Sequence, residues 1–198
     1  MAILPEPDVR ARVEALLEET HALRTGKFVL SSGKHSNRYC QCATLFERPA
    51  MGREVAARMA DLLRARGVEA DAVVAPALGG VLWGYELAAA LERRSLFVER
   101  KDGVFEMRRG FALHPGERVL LAEDVITTGK SVEEVIPIVK AAGAEVVGFA
   151  SIVDRSRGGF APAGIPVYAL VELAFDVWDP SESPFAADEV ERPGSRGS

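Results

Sequence analysis

Short apolar runs alternate with stretches of helical spacing along most of the chain. The runs lie at 72–75, 96–98, 119–122, 146–153 and 167–171, with helical stretches at about 81–93 and 130–142. Strands that are apolar on both faces and alternate with helices are typical of a parallel sheet covered by helices on its two sides. The pattern therefore predicts an α/β fold with a central, mostly parallel sheet.

The two ends of the chain have different patterns. Asp8 is predicted to cap a helix that runs to about Leu23, and Pro49 and Gly67 bracket a second helix. Between these helices, residues 25–36 are rich in Gly and Ser and predict two short strands joined by a turn. We therefore expect a single domain over 1–178 and a tail over 179–198, rich in Pro, Ser and Gly, whose end is disordered.

Composition excludes several classes of protein. The 198 residues carry a net charge of −5, which argues against a basic surface for nucleic acid. The only cysteines, Cys40 and Cys42, are too few for a disulfide framework or a four-cysteine zinc site. The sequence has no apolar run long enough to span a bilayer and no secretory signal at its N-terminus. We expect a cytoplasmic protein with neither nucleic acid nor membrane as a partner.

The segment 119–131 is the most informative about function. An apolar run leads into Glu123 and Asp124, and a turn rich in hydroxyl groups then leads into a helix. Free backbone N–H groups at such a turn and helix start suit a phosphate monoester. The two carboxylates repel phosphate but can accept hydrogen bonds from vicinal hydroxyls such as those of ribose. The segment therefore predicts a sugar-phosphate site.

Two other interpretations of this segment are a nucleotide-binding loop and a plain strand-to-helix turn. The residues up to Ser131 nearly match the nucleotide-binding pattern G-x-x-x-x-G-K-[ST], but Asp124 stands in place of its first glycine. A carboxylate at that point would repel a triphosphate. Alternatively, the acidic pair only caps a strand-to-helix turn, which leaves the Thr-Thr-Gly-Lys-Ser sequence after it unexplained. We prefer the sugar-phosphate site to both.

The same segment resembles the phosphoribosyl pyrophosphate signature of the type I phosphoribosyltransferases: an apolar strand, Glu-Asp, two residues, Thr-x-Gly and a helix. The resemblance implies that family's fold, a central parallel sheet with a small N-terminal hood. It also implies transfer of ribose 5-phosphate to a nitrogen base with loss of pyrophosphate. The residues implied to bind phosphoribosyl pyrophosphate are Glu123, Asp124, Val125, Ile126, Thr127, Thr128, Gly129, Lys130 and Ser131.

The N-terminal pattern resembles that of the orotate phosphoribosyltransferases. Residues 28–36 and Tyr39 match an apolar strand, Ser-Gly, and a Ser before an aromatic residue. The resemblance implies a hood over the base, formed mainly by about 1–45 with contributions from the C-terminal part. Many members carry a lysine where this chain has Ser31, and that lysine touches both substrates. Lys27 and Lys34 are the candidates to replace it.

Two further turns bear on the substrates. The turn after the first apolar run, at Ala77, Leu78 and Gly79, is implied by resemblance to contact the pyrophosphate; a plain strand-to-helix turn is the alternative. Arg155, in the pair Asp154-Arg155, is implied to bind the carboxylate of orotate, and Thr127 also to contact that base. A planar guanidinium suits a carboxylate, although a solvated surface arginine is the other possibility.

The polar stretch from about 99 to 115 corresponds to the family's catalytic loop. Arg100 and Lys101 match its cations, whereas Val104 and Glu106 occupy the places of a later lysine and histidine. Arg108 and Arg109 could supply the missing charge, unless this stretch is an ordinary hairpin. Cations and Mg²⁺ would stabilise the departing pyrophosphate, with Mg²⁺ held mainly by the substrate rather than by a set of protein ligands.

By resemblance we expect an orotate phosphoribosyltransferase of pyrimidine biosynthesis, with orotate and phosphoribosyl pyrophosphate as substrates. A homodimer is implied because the family's catalytic loop is commonly shared between subunits. Two alternatives remain open at this point. One is a phosphoribosyltransferase for a purine or uracil, and the other is a regulator that senses phosphoribosyl pyrophosphate and binds nucleic acid.

Overall fold

The structure is a computed structural model that describes residues 2–186 and 188–193. The helices and strands, in chain order, are α1 (Pro7–Glu19), β1 (Leu23–Val29), β2 (His35–Cys40), α2 (Pro49–Ala65), β3 (Ala72–Pro76), α3 (Gly80–Leu91), β4 (Arg94–Lys101), β5 (Val104–Met107), β6 (Arg118–Ile126), α4 (Lys130–Glu133), α5 (Ile136–Ala141), β7 (Glu145–Asp154), β8 (Val167–Glu172) and β9 (Val177–Trp178). A short 3-10 helix (Cys42–Glu47) precedes α2.

The central sheet has six strands in the order β5-β4-β3-β6-β7-β8. β4, β3, β6, β7 and β8 are parallel, and β5 is an antiparallel edge strand. Val73 and Leu120 belong to the apolar cluster on the side of α1, α2 and α3. Val74 and Leu121 belong to the cluster on the side of α4 and α5. This two-sided burial explains the continuous apolar runs, and the α/β prediction is confirmed.

A second, antiparallel sheet is formed by β1, β2 and β9. The segment after β9 extends it, because the backbone of Glu191 bonds to Val29 and Lys27 at 2.9 and 2.8 Å. Ion pairs Arg24–Glu191 and Lys27–Glu189 hold that segment against β1. The expected disorder at the end of the tail concerns residues 194–198, which lie outside the described residues.

Three predicted boundaries were wrong. α1 begins after Glu6 rather than Asp8 and ends at Glu19, where the hydroxyl of Thr20 donates to the carbonyl of Leu16 and His21 takes a positive φ. β6 does not end at the acidic pair but continues to Ile126, because β7 runs beside it in register. The helix predicted over 130–142 is two short helices, since Pro137 lacks the N–H needed to continue the turn.

No helix within the described residues is both long and apolar enough to cross a membrane.

Candidate active site

The loops that follow β3, β6 and β7 meet at the carboxyl edge of the sheet, where ligands bind in open α/β folds. Gly79 lies against the acidic pair: a Cβ atom at Gly79 would stand 3.5 Å from Oδ1 of Asp124. The peptide between Ala77 and Leu78 is cis, and the N–H of Ala77 donates to the carbonyl of Val98 on β4. The structure thus brings the 77–79 turn beside the carboxylates.

The two adjacent carboxylates differ in their surroundings. Asp124 accepts a hydrogen bond from the backbone N–H of Val125 at 3.0 Å. Burial and the neighbouring charge of Asp124 raise the pKa of Glu123 to about 7, against a smaller opposing effect of a hydrogen bond from Ser131. Hydroxyl groups that donate to Glu123 would favour its charged form. The pair is therefore suited to a vicinal diol.

The turn after β6 is shaped by Gly129, which has a φ of 74° and precedes α4. The N–H of Lys130 donates to the hydroxyl of Thr128 at 3.3 Å. Because α4 has only four residues, its dipole is small, and the sequence-based expectation of a long helix behind the phosphate was wrong. An anion at this turn would depend on backbone N–H groups and on hydroxyls.

Arg155 begins the loop after β7. Its N–H donates to the carbonyl of Ile126 at 2.8 Å, so this loop and the turn after β6 are tied together. Its guanidinium carbon lies 3.7 Å from the ring centroid of Phe175. Arg155 is thus half-buried and stacked rather than a solvated surface arginine. It lines a cavity of about 320 Å³ with Arg157, Phe175 and Trp178.

After Glu99 the chain forms a hairpin in which β4 and β5 pair antiparallel, whereas Arg108 and Arg109 follow the end of β5. Arg100 pairs with Glu134 at 2.8 Å, and its guanidinium lies 3.9 Å from the ring centroid of Phe105. Lys101 is exposed at the end of β4. Arg108 and Arg109 both pair with the single carboxylate of Glu99, at 3.4 and 2.9 Å, so one positive charge of the two remains uncompensated by this pairing.

The two candidate substitutes for the hood lysine are both bound to acidic residues near the C-terminus. Lys27 pairs with Glu189 at 2.9 Å and Lys34 with Asp179 at 3.3 Å. Ser31, where the family often has lysine, is exposed. Either lysine would have to leave its acidic partner to contact a substrate.

Sequence reasoning missed three residues that hold predicted site residues in place. Phe160 lies under Gly129, Phe175 lies under Arg155, and Glu134 pairs with Arg100. Each partner is distant in sequence or on another element, so no local motif marks it. The one signal was Gly129 itself, since a glycine at a tight turn often allows a close neighbour.

Comparisons with known proteins identify the family. The phosphoribosyl transferase domain family matches residues 41–178. An orotate phosphoribosyltransferase from Thermotoga maritima is 50% identical over 187 residues, covering 93% of this chain and 98% of the relative. One from Nitratiruptor sp. is 43% identical over 199 residues, covering 93% and 98%.

A solved structure is similar as well. The crystal structure of orotate phosphoribosyltransferase from Aeropyrum pernix has a TM-score of 0.68 at 26% identity, covering 81% of this chain and 93% of that one. These similarities indicate the same family as the fold and as the acidic pair with its Thr-Thr-Gly turn. This chain belongs to the orotate phosphoribosyltransferases of the type I phosphoribosyltransferase family.

Proposed function

We propose that this chain transfers the ribose 5-phosphate group of phosphoribosyl pyrophosphate to orotate, giving orotidine 5-phosphate and pyrophosphate for pyrimidine biosynthesis. The observation that carries the proposal is the meeting of three loops at one edge of the sheet. They bring the 77–79 turn, the acidic pair and Arg155 together. The names and high coverage of the relatives support the same reaction.

We assign the binding of phosphoribosyl pyrophosphate to the acidic pair and to the turns at 77–79 and 127–131. Glu123 and Asp124 accept hydrogen bonds from the 2- and 3-hydroxyls, and residues 127–131 hold the 5-phosphate. The pyrophosphate is attached at C1, next to the 2-hydroxyl. The close approach of Gly79 to Asp124 supports a pyrophosphate contact at 77–79, since the two groups must be neighbours.

Orotate is recognised by its carboxylate. Arg155 presents a planar guanidinium, which can bind both carboxylate oxygens at once. Its backbone bond to Ile126 keeps it near the sugar site, which supports a shared pocket for the two substrates. We assign Thr127, next to Ile126, to the edge of the base.

The reaction needs positive charge more than a nucleophile on the protein. The ring nitrogen of orotate bonds to C1 as the C1–oxygen bond breaks; pyrophosphate leaves with the electron pair of that bond, and the proton of the ring nitrogen is released to solvent. Negative charge therefore grows on the leaving group, and Lys101 and Arg100 stabilise it in the transition state. Arg100 is bound to Glu134 in this structure, so it must change partners to act.

Mg²⁺ fits the donor set of this site. Mg²⁺ is usually bound through one or two carboxylates together with substrate phosphates. Glu123 and Asp124 are such a pair, and the substrate would supply most of the ligands, since the described residues hold no group of three or more metal-ligating side chains. When bound, Mg²⁺ would offset the negative charge that develops on the departing pyrophosphate. Asp124 and Glu123 would orient the sugar hydroxyls beside it.

We further propose a cytoplasmic homodimer. Three large apolar side chains are exposed together on α3 and the turn before it: Leu78 (83%), Leu82 (52%) and Tyr85 (62%). An exposed apolar patch of this kind marks an interaction surface, and it adjoins the pyrophosphate turn. A second copy seated there would bring its own residues towards the site. The proposed substrates are charged and do not cross a bilayer unaided, so we place the enzyme in the cytoplasm, in the same compartment as its substrates.

The decisive experiment follows the absorbance of orotate with the protein, phosphoribosyl pyrophosphate and Mg²⁺. Orotate should be consumed only in the complete mixture, and omission of any one component should abolish the change. Uracil and adenine in place of orotate serve as controls for the base. If orotate persists while the protein binds phosphoribosyl pyrophosphate, the base assignment is wrong and the sugar-phosphate site remains.

A further inference from the structure

The ring of Phe175 supports the side chain proposed to read the base. Phe175 is buried, three residues after the end of β8, and the guanidinium carbon of Arg155 lies 3.7 Å from its ring centroid. A guanidinium stacked at this distance interacts through its flat face with the electron-rich face of the ring. Its N–H groups lie in the guanidinium plane, so stacking leaves them able to donate sideways.

Phe175 is itself held from both sides. Before it, the N–H of Leu173 donates to the carbonyl of Asp154 at 2.9 Å. After it, Asp176 and Asn37 exchange two hydrogen bonds, at 2.8 and 3.1 Å. These bonds tie the segment to the end of β7 and to β2 of the hood. The ring is therefore a fixed platform between the two sheets.

The backbone carbonyl of Phe175 accepts a hydrogen bond from a second arginine of this cavity. The guanidinium of Arg157 donates to it and lies 3.9 Å from the carboxylate of Asp176. Two arginines thus line the same cavity, but one is used to hold the backbone of Phe175 while the other rests on its ring.

A long flexible side chain loses rotamer freedom when it binds a carboxylate, and this loss opposes binding. A side chain already held flat on a ring has less freedom left to lose. We propose that Phe175 is a positioning residue for the base, which orients the guanidinium of Arg155 towards the carboxylate of orotate. This inference rests on the proposed function, because it takes Arg155 as the orotate ligand.

The test compares Phe175→Leu with Phe175→Tyr in steady-state kinetics. Leucine keeps the apolar volume but removes the ring, so the KM for orotate should rise by about 3- to 30-fold, the range of a cation–π contact. The KM for phosphoribosyl pyrophosphate should change little, whereas the unfolding temperature should fall modestly, because leucine is smaller than the buried ring that it replaces. Tyrosine restores the ring and should return most of the orotate affinity. Phe46→Leu, which removes a ring that lies against Gly52 of α2, away from the proposed site, is the control.

Two further measurements separate positioning from general damage. Uracil lacks the carboxylate, so its weak inhibition should be equal in the native protein and in Phe175→Leu. In an Arg155→Ala background, Phe175→Leu should add nothing to the KM for orotate. Should Phe175→Leu fail to fold, Phe175→Met, which fills space flexibly, gives the same comparison.

The outcomes separate the positioning role of Phe175 from the assignment of Arg155 to orotate. If Arg155→Ala raises the orotate KM and Phe175→Leu does not, the positioning role is overturned while the proposed function stands. If Phe175→Leu weakens uracil and orotate equally, the ring acts on the pocket as a whole and the inference is wrong. If Arg155→Ala leaves the orotate KM unchanged, the assignment of Arg155 itself fails.

Discussion

The ring of Phe160 occupies the space in which a side chain at Gly129 would stand. A Cβ atom at Gly129 would lie 1.9 Å from the ring, and the residue has a φ of 74°. Phe160 is itself buried and packs edge-to-face on Phe149 with ring centroids 5.1 Å apart. The ring therefore forms the floor of the turn that we assign to the 5-phosphate.

Replacement of Gly129 by alanine should damage the phosphate site. The added methyl meets the ring and the positive φ at once, which we expect to cost about 2 to 5 kcal/mol in stability. The KM for phosphoribosyl pyrophosphate should rise at least about tenfold, since a shift of this size misplaces the phosphate donors. Gly143→Ala is the matched control, with the same φ of 74° and a nearest atom at 3.4 Å. Equal kinetics of the two variants would contradict the proposed phosphate turn.

Arg155→Lys should separate charge from geometry at the base. Lysine keeps the positive charge but loses the planar pair of donors, so the KM for orotate should rise by about tenfold or more. Arg155→Ala should raise it further, and both variants should leave the KM for phosphoribosyl pyrophosphate nearly unchanged. An equal rise for both substrates would remove Arg155 from the base subsite.

The raised pKa of Glu123 predicts a specific dependence of stability on pH. Burial and the charge of Asp124 give the carboxyl a pKa of about 7 in the folded protein, above its ordinary value of 4.5, so the free folded protein holds a proton that the unfolded chain has lost between these values. The free energy of unfolding should therefore fall by up to about 3 kcal/mol as pH rises from 4.5 through 7. Glu123→Gln, compared by thermal unfolding at pH 5.5 and 8, should lack this part of the decrease. If both proteins respond identically to pH, Glu123 does not titrate in this range.

Lys101 should act on turnover rather than on binding of the base. We expect Lys101→Ala to lower kcat by about 10²-fold, the usual effect of removing one group that stabilises developing charge. The dissociation constant of orotate should be unchanged by equilibrium titration. Lys140→Ala, at an exposed position of α5, is the control. Normal turnover by Lys101→Ala would show that the loop has been matched to the wrong residues.

If a second copy packs on the apolar face of α3, a charge placed on that face should prevent the dimer from forming. Tyr85→Asp places a charge where we propose that a second copy packs, and the buried charge would be unpaired. Sedimentation should show a dimer for the native protein and a monomer for the variant. A native protein that sediments as a monomer would refute the proposed interface.

The sequence predicted the parallel sheet well because burial on both faces leaves a local signature, as at Val73 and Val74. The segment proposed for the sugar phosphate could be recognised as one unit because Glu123, Asp124 and the glycine turn are close together in the chain. The sequence placed the end of β6 too early, because two carboxylates look like a strand terminus when the register with β7 is unknown. The contacts of Phe160 and Phe175 depend on how separate loops meet, and no periodicity records that.

The small sheet draws its strands from opposite regions of the chain. β1 and β2 leave the ribosome early, but β9 and Glu191 follow well over a hundred residues later. A two-stranded hairpin is marginally stable by itself, so β1 and β2 gain lasting partners only when synthesis is nearly finished. A nascent chain with β3 to β7 already paired would therefore possess the sugar-phosphate loops before it had a covered place for the base. We therefore expect the cover over the proposed base site to be the last part of the fold to form.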